Sequence, residues 1–389
     1  MDRIAIVRAR RTPIGKYLGS LAGLSAAQLG EVVVRSVLDG LDLKVDEVVF
    51  GCARQAGQGP NPARQIAWRC GLGEGAIGET INMACGSGLR AIFHAAEQIA
   101  LGRAKVVVAG GVESMSQVPF LLKRMRAGYR LGHGKLVDGM YDDGFTCRLI
   151  DELMGATAET LADRYAITRD EQDRFALESQ RKAGRAFAEG AFDAEIAPVA
   201  LPEGPFGTDE HARPDTTLEA MAKLPPVFRK EGGTVHAGNS SGITDGAAAL
   251  LLMAEPDARA LGLEPLALLE DYTIAGVDPA IMGIGPVPAT RELLRRTGRK
   301  LDDFDLIELN EAFAAQVIAC ERELGFDRRR LNVNGGAIAL GHPIGCTGAR
   351  IVVTLLHAMR RSGAHRGLAT LCVSGGLGLA ASFGTGSSG

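Results

Sequence analysis

Several protein classes are excluded by what the sequence lacks. It holds no Cys-x-x-Cys pair: Cys52, Cys70, Cys85, Cys147, Cys320, Cys346 and Cys372 are odd in number and widely spaced. That pattern argues against a disulfide framework and a structural zinc site, and reduced thiols in a cytoplasmic compartment are expected. No apolar run approaches the ~18 residues of a membrane span. Ile4-Ala5-Ile6-Val7, ahead of Arg8, Arg10 and Arg11, is too short for a secretory signal and reads as a first strand. Neither charge is in excess, since 43 Lys and Arg stand against 46 Asp and Glu. Electrostatics therefore gives no reason to expect a nucleic-acid partner.

Glycine is abundant instead. Its 51 copies in 389 residues are roughly twice the ordinary share, gathered in short motifs and not in a low-complexity tract. Tight turns and close backbone approaches follow. The length suggests more than one core or a duplicated unit, and a duplication is visible. Gly86-Ser87-Gly88-Leu89-Arg90 leads into the helix-like Ala91 to Ile99 and then the strand-like Lys105 to Ala109, ending at Gly110-Gly111. About 260 residues later, Cys346-Thr347-Gly348-Ala349-Arg350 opens Ile351 to Met359, and Leu368 to Val373 ends near Gly375-Gly376. Val48 to Gly51 and Leu306 to Asn310 pair likewise. The fold class expected is α/β: a duplicated βα core of two similar mixed-sheet halves packed in layers, with Cys85 and Gly345 at equivalent helix N-termini. Residues 114–242 break the rhythm with one helical run from Thr157 to Glu189 and Pro/Gly-rich stretches, and read as an inserted loop domain.

Four motifs carry chemistry. Asn82-Met83-Ala84-Cys85-Gly86 places a thiol just before a helix N-terminus, where N–H groups and the helix dipole favour thiolate. A buried structural cysteine fits these residues equally well. His342, in Gly341-His342-Pro343, sits in a loop too glycine-rich and apolar for a surface and could accept a proton from Cys85. Cys372 stands at a strand end before Ser374-Gly375-Gly376. Asn310 closes another strand and could position a water or donate to an oxyanion. Singly each is weak; together they share one sheet edge.

These motifs, in order and spacing, resemble the signatures of the thiolases, as do Arg11-Thr12-Pro13-Ile14-Gly15, Gly110 to Met115 and Ala237 to Gly242. The resemblance covers nearly the whole chain. It implies a reversible Claisen condensation of two acyl-CoA molecules, or thiolysis of a 3-oxoacyl-CoA. Cys85 would carry the acyl group, His342 would take its proton, Cys372 would move the α-proton, and Asn310 with His342 would hold the enolate oxygen. Backbone N–H groups of Cys85 and Ser374 would form a second oxyanion hole. Arg213 and Ser241 map to CoA contacts, with Phe228, Ala237 and Met154 lining the channel and Met282 and Phe313 near the acyl end. CoA and acyl-CoA are then substrates, with no permanently bound cofactor or metal and no membrane partner. Residues 1–113 with 243–266 would form one half, 114–242 the insertion for CoA binding and assembly, and 267–389 the other half, in a homodimer formed through the core or a homotetramer of such dimers paired through residues 119–139.

Departures from the family pattern matter too. Leu153 and Ala220 replace polar residues usual in short-chain biosynthetic members. Cys346 is a variant more common in degradative ones, and Ser374 replaces a frequent glycine. Another condensing enzyme is disfavoured because those carry a second histidine where this chain has Cys372. A non-catalytic acyl-CoA or lipid carrier on the same fold is the alternative from a different class.

Overall fold

Runs of small and β-branched apolar residues form the central strands, which are buried on both faces. The computed structural model describes residues 3–386. Strands β1 (Ile4–Arg11), β2 (Glu47–Gly51), β3 (Ile77–Ile81), β4 (Val106–Ser114) and β5 (Thr244–Ala254) build the first half. Strands β6 (Ala267–Gly276), β7 (Leu306–Leu309), β8 (Arg366–Val373) and β9 (Leu377–Gly384) build the second. The path runs β7-β8-β9-β6-β1-β5-β4-β2-β3, and the halves join where Ile4 to Ile6 pair antiparallel with Leu269 to Ala267. Outward from that junction the first half reads β1-β5-β4-β2-β3 and the second β6-β9-β8-β7. A parallel bridge between Ile307 and Leu331 stands where β3 stands in the first half. Strand directions match as well: the two inner pairs of each half are antiparallel and the outer ones parallel. The duplication is thus present in the topology.

Seven helices matter for the site: α1 (Ala26–Leu38), α2 (Ser87–Ala100), α3 (Met154–Arg164), α4 (Arg169–Ala188), α5 (Pro286–Thr297), α6 (Ala314–Leu324) and α7 (Ile344–Ser362). Alternate strand residues face opposite layers. Leu250 and Leu252 pack with α2 and α7, whereas Leu251 and Met253 pack with Val33, Val34 and Val37 of α1. In the second half Leu371 and Val373 face the same central helices, while Leu368 meets residues of α5 and α6. The layers therefore run helix, sheet, central helix pair, sheet, helix. Helix α7 is buried on every side from Ile344 to Leu356, as a central-layer helix must be.

Glycine sets how closely α2 and α7 cross. A Cβ on Gly88 would lie 2.8 Å from the Ala349 nitrogen, and one on Gly348 would strike the Leu89 backbone. This crossing brings both helix starts to one edge of the core.

Three sequence expectations change. Helix α7 begins at Ile344 after Pro343, so Gly345 lies inside the first turn and is not the positional match of Cys85. Its N–H donates to Glu113 at 2.7 Å, which pins that turn. The run from Thr157 to Glu189 is two helices, α3 and α4, because Ala166 takes φ 48° and Thr168 with Glu171 forms a capping box that starts a new helix. Gly110-Gly111 lies within β4 and does not end it; a Cβ on Gly111 would collide with the Gly345 carbonyl. Between β4 and β5 the insertion adds α3, α4 and small two-stranded pieces, and residues 123–135 are exposed. Among the described residues no helix is long and apolar enough to cross a membrane.

Candidate active site

Cys85 sits on a tight turn between β3 and α2. Ala84 before it takes φ 44°, a left-handed conformation uncommon for a residue with a side chain and frequent where strain serves a site. The turn is held locally: Asn82 Oδ1 accepts the Ala84 N–H at 3.0 Å, and Ser87 Oγ accepts the Met83 N–H at 2.8 Å and donates to the Ala84 carbonyl at 2.6 Å. Cys85 is partly exposed and packs on Ala53, Met115, Met140 and Ile344, with Phe145 from the insertion alongside.

Burial pushes the Cys85 thiol up, while the Ser374 N–H, the charge of Arg54 and the residue's own N–H pull it down; the upward push wins. The expectation of a thiolate at rest is therefore corrected. Cys85 lies outside the N-cap, Gly86, beyond the first turn where the helix dipole acts most strongly. The N–H groups of Ser374 and Cys85 both act on the sulfur.

His342 is a buried imidazole just before the start of α7. Its N–H donates to the Gly242 carbonyl at 3.0 Å. Ring Nδ1 lies 2.5 Å from Thr347 Oγ1, whose hydroxyl donates to the Pro343 carbonyl at 3.0 Å. With its hydrogen committed there, the hydroxyl accepts from Nδ1–H, which assigns the tautomer with a free lone pair on Nε2. Among the described residues that Nε2 is buried and partnerless. Burial, with the positive charges of Arg350 and Arg54, lowers His342 to about 3, so the imidazole is neutral.

Cys372, near the end of β8, is buried with Met282 and Ala312, and Met154 and Phe313 pack against them. Burial pushes its thiol well above the ordinary value, and charge on Cys85 and on Cys320 pushes the same way. Asn310 follows β7, with its N–H bonded to the Thr370 carbonyl at 3.0 Å. Among the described residues both polar atoms of its side chain are buried without partners. Orphaned buried polar groups are rare in native proteins and need a reason. The segment Ser240 to Gly242 ties these parts together: Ser240 bridges Phe313, the Ser241 N–H donates to the Ala312 carbonyl at 3.0 Å, and Gly242 holds His342.

The proposed channel residues divide. Phe228 meets Phe313 edge-on at 6.2 Å between centroids and fits because Gly155, after Met154, has no side chain to block it. Met154, Phe228, Met282 and Phe313 thus gather beside Cys372. Arg213 and Ala237 are exposed and lie outside that buried group; the Arg213 N–H donates to Gln180 Oε1 at 2.7 Å. A surface depression of about 470 Å³ shares no lining residue with the site, being formed by Gly19, Ser20, Leu201 and their neighbours.

Sequence reasoning missed three contributors. Thr347 sets the imidazole tautomer. Glu113 accepts N–H groups of Ala53 at 3.1 Å, Arg54 at 2.9 Å and Gly345 at 2.7 Å, locking the loop after β2 to the start of α7. Arg54 sits on that loop. Glu113 and Thr347 lie inside recognised motifs, and Arg54 comes three residues after β2 on the site's edge, which was the available signal.

Two thiols, a neutral imidazole and two N–H donors acting on one of the sulfurs, on a duplicated α/β core, define an enzyme that works through sulfur. The thiolase N-terminal domain family model matches residues 4–256 and the thiolase C-terminal domain model residues 263–384. The chain is 53% identical over 388 residues to an acetyl-CoA acetyltransferase of Pseudomonas aeruginosa, covering 98% of each. It is 51% identical to one of Escherichia coli, with the same coverage. The crystal structure of the Bacillus anthracis acetyl-CoA acetyltransferase superposes with a TM-score of 0.96 at 46% identity over 99% of both chains. Human mitochondrial 3-ketoacyl-CoA thiolase in complex with CoA gives 0.96 at 41% over 98% of both. The chain belongs to the thiolase family, and as a thiolase it is an acyltransferase.

Proposed function

We propose that the chain is an acyl-CoA C-acyltransferase acting by ping-pong chemistry through a thioester on Cys85. In thiolysis, His342 Nε2 takes the Cys85 proton and the sulfur attacks the 3-carbonyl of a 3-oxoacyl-CoA. The oxyanion so formed is held by the Cys85 and Ser374 N–H groups. The C2–C3 bond breaks, and the enolate oxygen is held by protonated His342 and by Asn310 through a water. Cys372 protonates C2, releasing acetyl-CoA. Free CoA, its thiol proton taken by the Cys372 thiolate, attacks the thioester, and His342 returns its proton to Cys85. Condensation is the reverse. The observation that carries this reading is the His342 Nε2, buried without a partner among the described residues, with the Asn310 side chain in the same state.

Arg213 and Ser241 would contact CoA at the mouth, Ala237, Phe228 and Met154 line its path, and Met282 and Phe313 face the acyl end. The chain divides into residues 1–113 with 243–266, the insertion 114–242, and 267–389. Loss of polar groups at Leu153 and Ala220 favours acyl groups beyond acetyl, in fatty-acid or other lipid metabolism. Assembly is as a homodimer or homotetramer in the cytoplasm, where the seven free cysteines stay reduced. Mixing the protein with acyl-CoA tests the function: a stoichiometric burst of CoA followed by ping-pong turnover is expected, and saturable binding with no CoA release would refute it.

A further inference from the structure

The turn that carries Ala237 and Ser241 takes its shape from a side chain that the reaction does not use. His236 is fully buried, and both ring nitrogens are bonded. Nδ1 accepts the Gly238 N–H at 3.0 Å, so it is Nε2–H that donates to Asp173 Oδ1 at 2.8 Å. Asp173 stands on α4 of the insertion. The same Oδ1 accepts from the Asn239 amide at 3.0 Å, and Arg169 faces the other oxygen at 3.6 Å. The His236 N–H donates to Asn239 Oδ1 at 2.8 Å, and the His236 carbonyl accepts the Ser240 hydroxyl at 2.9 Å. On its other side the turn is seated on the start of α6, where the Asn239 carbonyl accepts the Ala314 N–H at 2.9 Å and the Ser241 N–H bonds the Ala312 carbonyl. Ala237 is exposed between two buried anchors, His236 and Asn239.

A ring that accepts on one side and donates on the other in one plane is a rigid strut between α4 and the turn. Without it the Gly238 N–H loses its acceptor and the buried Asp173 carboxylate loses a donor, both costly, so the turn would rearrange to recover them. We propose that His236 is a positioning residue for coenzyme A: anchored on Asp173, it fixes residues 236–242 in the shape with which Ala237 and Ser241 meet the CoA chain. The insertion thereby sets CoA affinity through one hydrogen bond. This rests on the CoA contacts proposed above.

Calorimetry of CoA binding to wild type, H236L, H236N and H236Q tests it, alongside kcat and KM for CoA in thiolysis per reactive Cys85. H236L loses both ring bonds, H236N keeps an acceptor at the Nδ1 position but falls short of Asp173, and H236Q places a donor where Nε2 stands. The Kd and KM for CoA are expected to rise about tenfold in H236L and H236N, the scale of a hydrogen bond to a charged group. The kcat per reactive Cys85 stays within about threefold of wild type, and H236Q recovers most of the lost affinity. An H236N that binds CoA as tightly as wild type overturns the proposal, even if H236L does not fold. So does a loss confined to kcat or to the number of reactive Cys85 groups with KM unchanged, the mark of a merely structural residue. A wild type that binds no CoA overturns the CoA contacts themselves, a result distinct from an affinity that the variants leave unaltered.

Discussion

Replacing Thr347 by valine removes one hydroxyl and should slow acylation of Cys85. The hydroxyl stands 2.5 Å from His342 Nδ1 and 3.0 Å from the Pro343 carbonyl, inside a site where no water replaces it readily. In T347V the Nδ1–H would be a buried, unsatisfied donor, at a cost of about 1–3 kcal/mol. When Nε2 takes the Cys85 proton, the imidazolium formed would carry a buried Nδ1–H with no acceptor, so the proton transfer becomes less favourable by about that amount. At about 1.4 kcal/mol per factor of ten, acyl-enzyme formation falls about 10–100-fold. Rapid quenching of protein mixed with acyl-CoA measures that step, equilibrium binding of the acyl-CoA to each protein separates it from affinity, and T347S, which keeps the hydroxyl, should restore it. A T347V protein acylated within about threefold of wild type would refute this role for Thr347.

Because burial raises the Cys85 thiol, its alkylation by iodoacetamide should climb about tenfold per pH unit across neutrality; a rate already flat near pH 7 would mean a resting thiolate. The C372S variant should still acquire an acyl group on Cys85 but lose exchange of acetyl-CoA α-protons with solvent by about 10²–10⁴-fold, and exchange at the wild-type rate would remove Cys372 from that step. In G88A the new Cβ would sit 2.8 Å from Ala349 N, so the melting temperature should drop by the equivalent of about 1–3 kcal/mol; an unchanged melt would contradict the close helix crossing. Burial pushes Glu308, beside Arg350, up to about 8 from 4.5. The folded state then holds that proton more tightly than the unfolded one, so this stabilising contribution is complete below the lower value and lost as pH rises through the upper. The fall of melting temperature across that window should be shallower in E308Q, and an identical slope would contradict the shift.

The duplication was legible because each half repeats a strand-to-helix motif, and strand order reproduces it from β1-β5-β4-β2 to β6-β9-β8-β7. Cys85, His342, Cys372 and Asn310 were legible because glycine-rich strand ends mark one edge of such sheets. The helix start at Ile344 was misplaced because a fully buried helix has no polar face to mark its first turn. The break between α3 and α4 was overlooked, although Thr168 and Glu171 spell a capping box. The resting state of Cys85 was read wrongly for a physical reason: a sequence shows the nearby helix N-terminus but not how much protein surrounds the sulfur. Arg54 and Thr347 went unnoticed because their roles arise from tertiary neighbours, Cys85 and His342, distant or oriented in ways that spacing does not reveal.

The central claim is that the acyl group resides on Cys85. Protein incubated with a radiolabelled acyl-CoA, quenched in acid and digested should carry one label per chain on the peptide containing Cys85, with an equal amount of CoA released. Label on Cys372, Cys346 or Cys52 instead, or turnover with no labelled peptide, would contradict it.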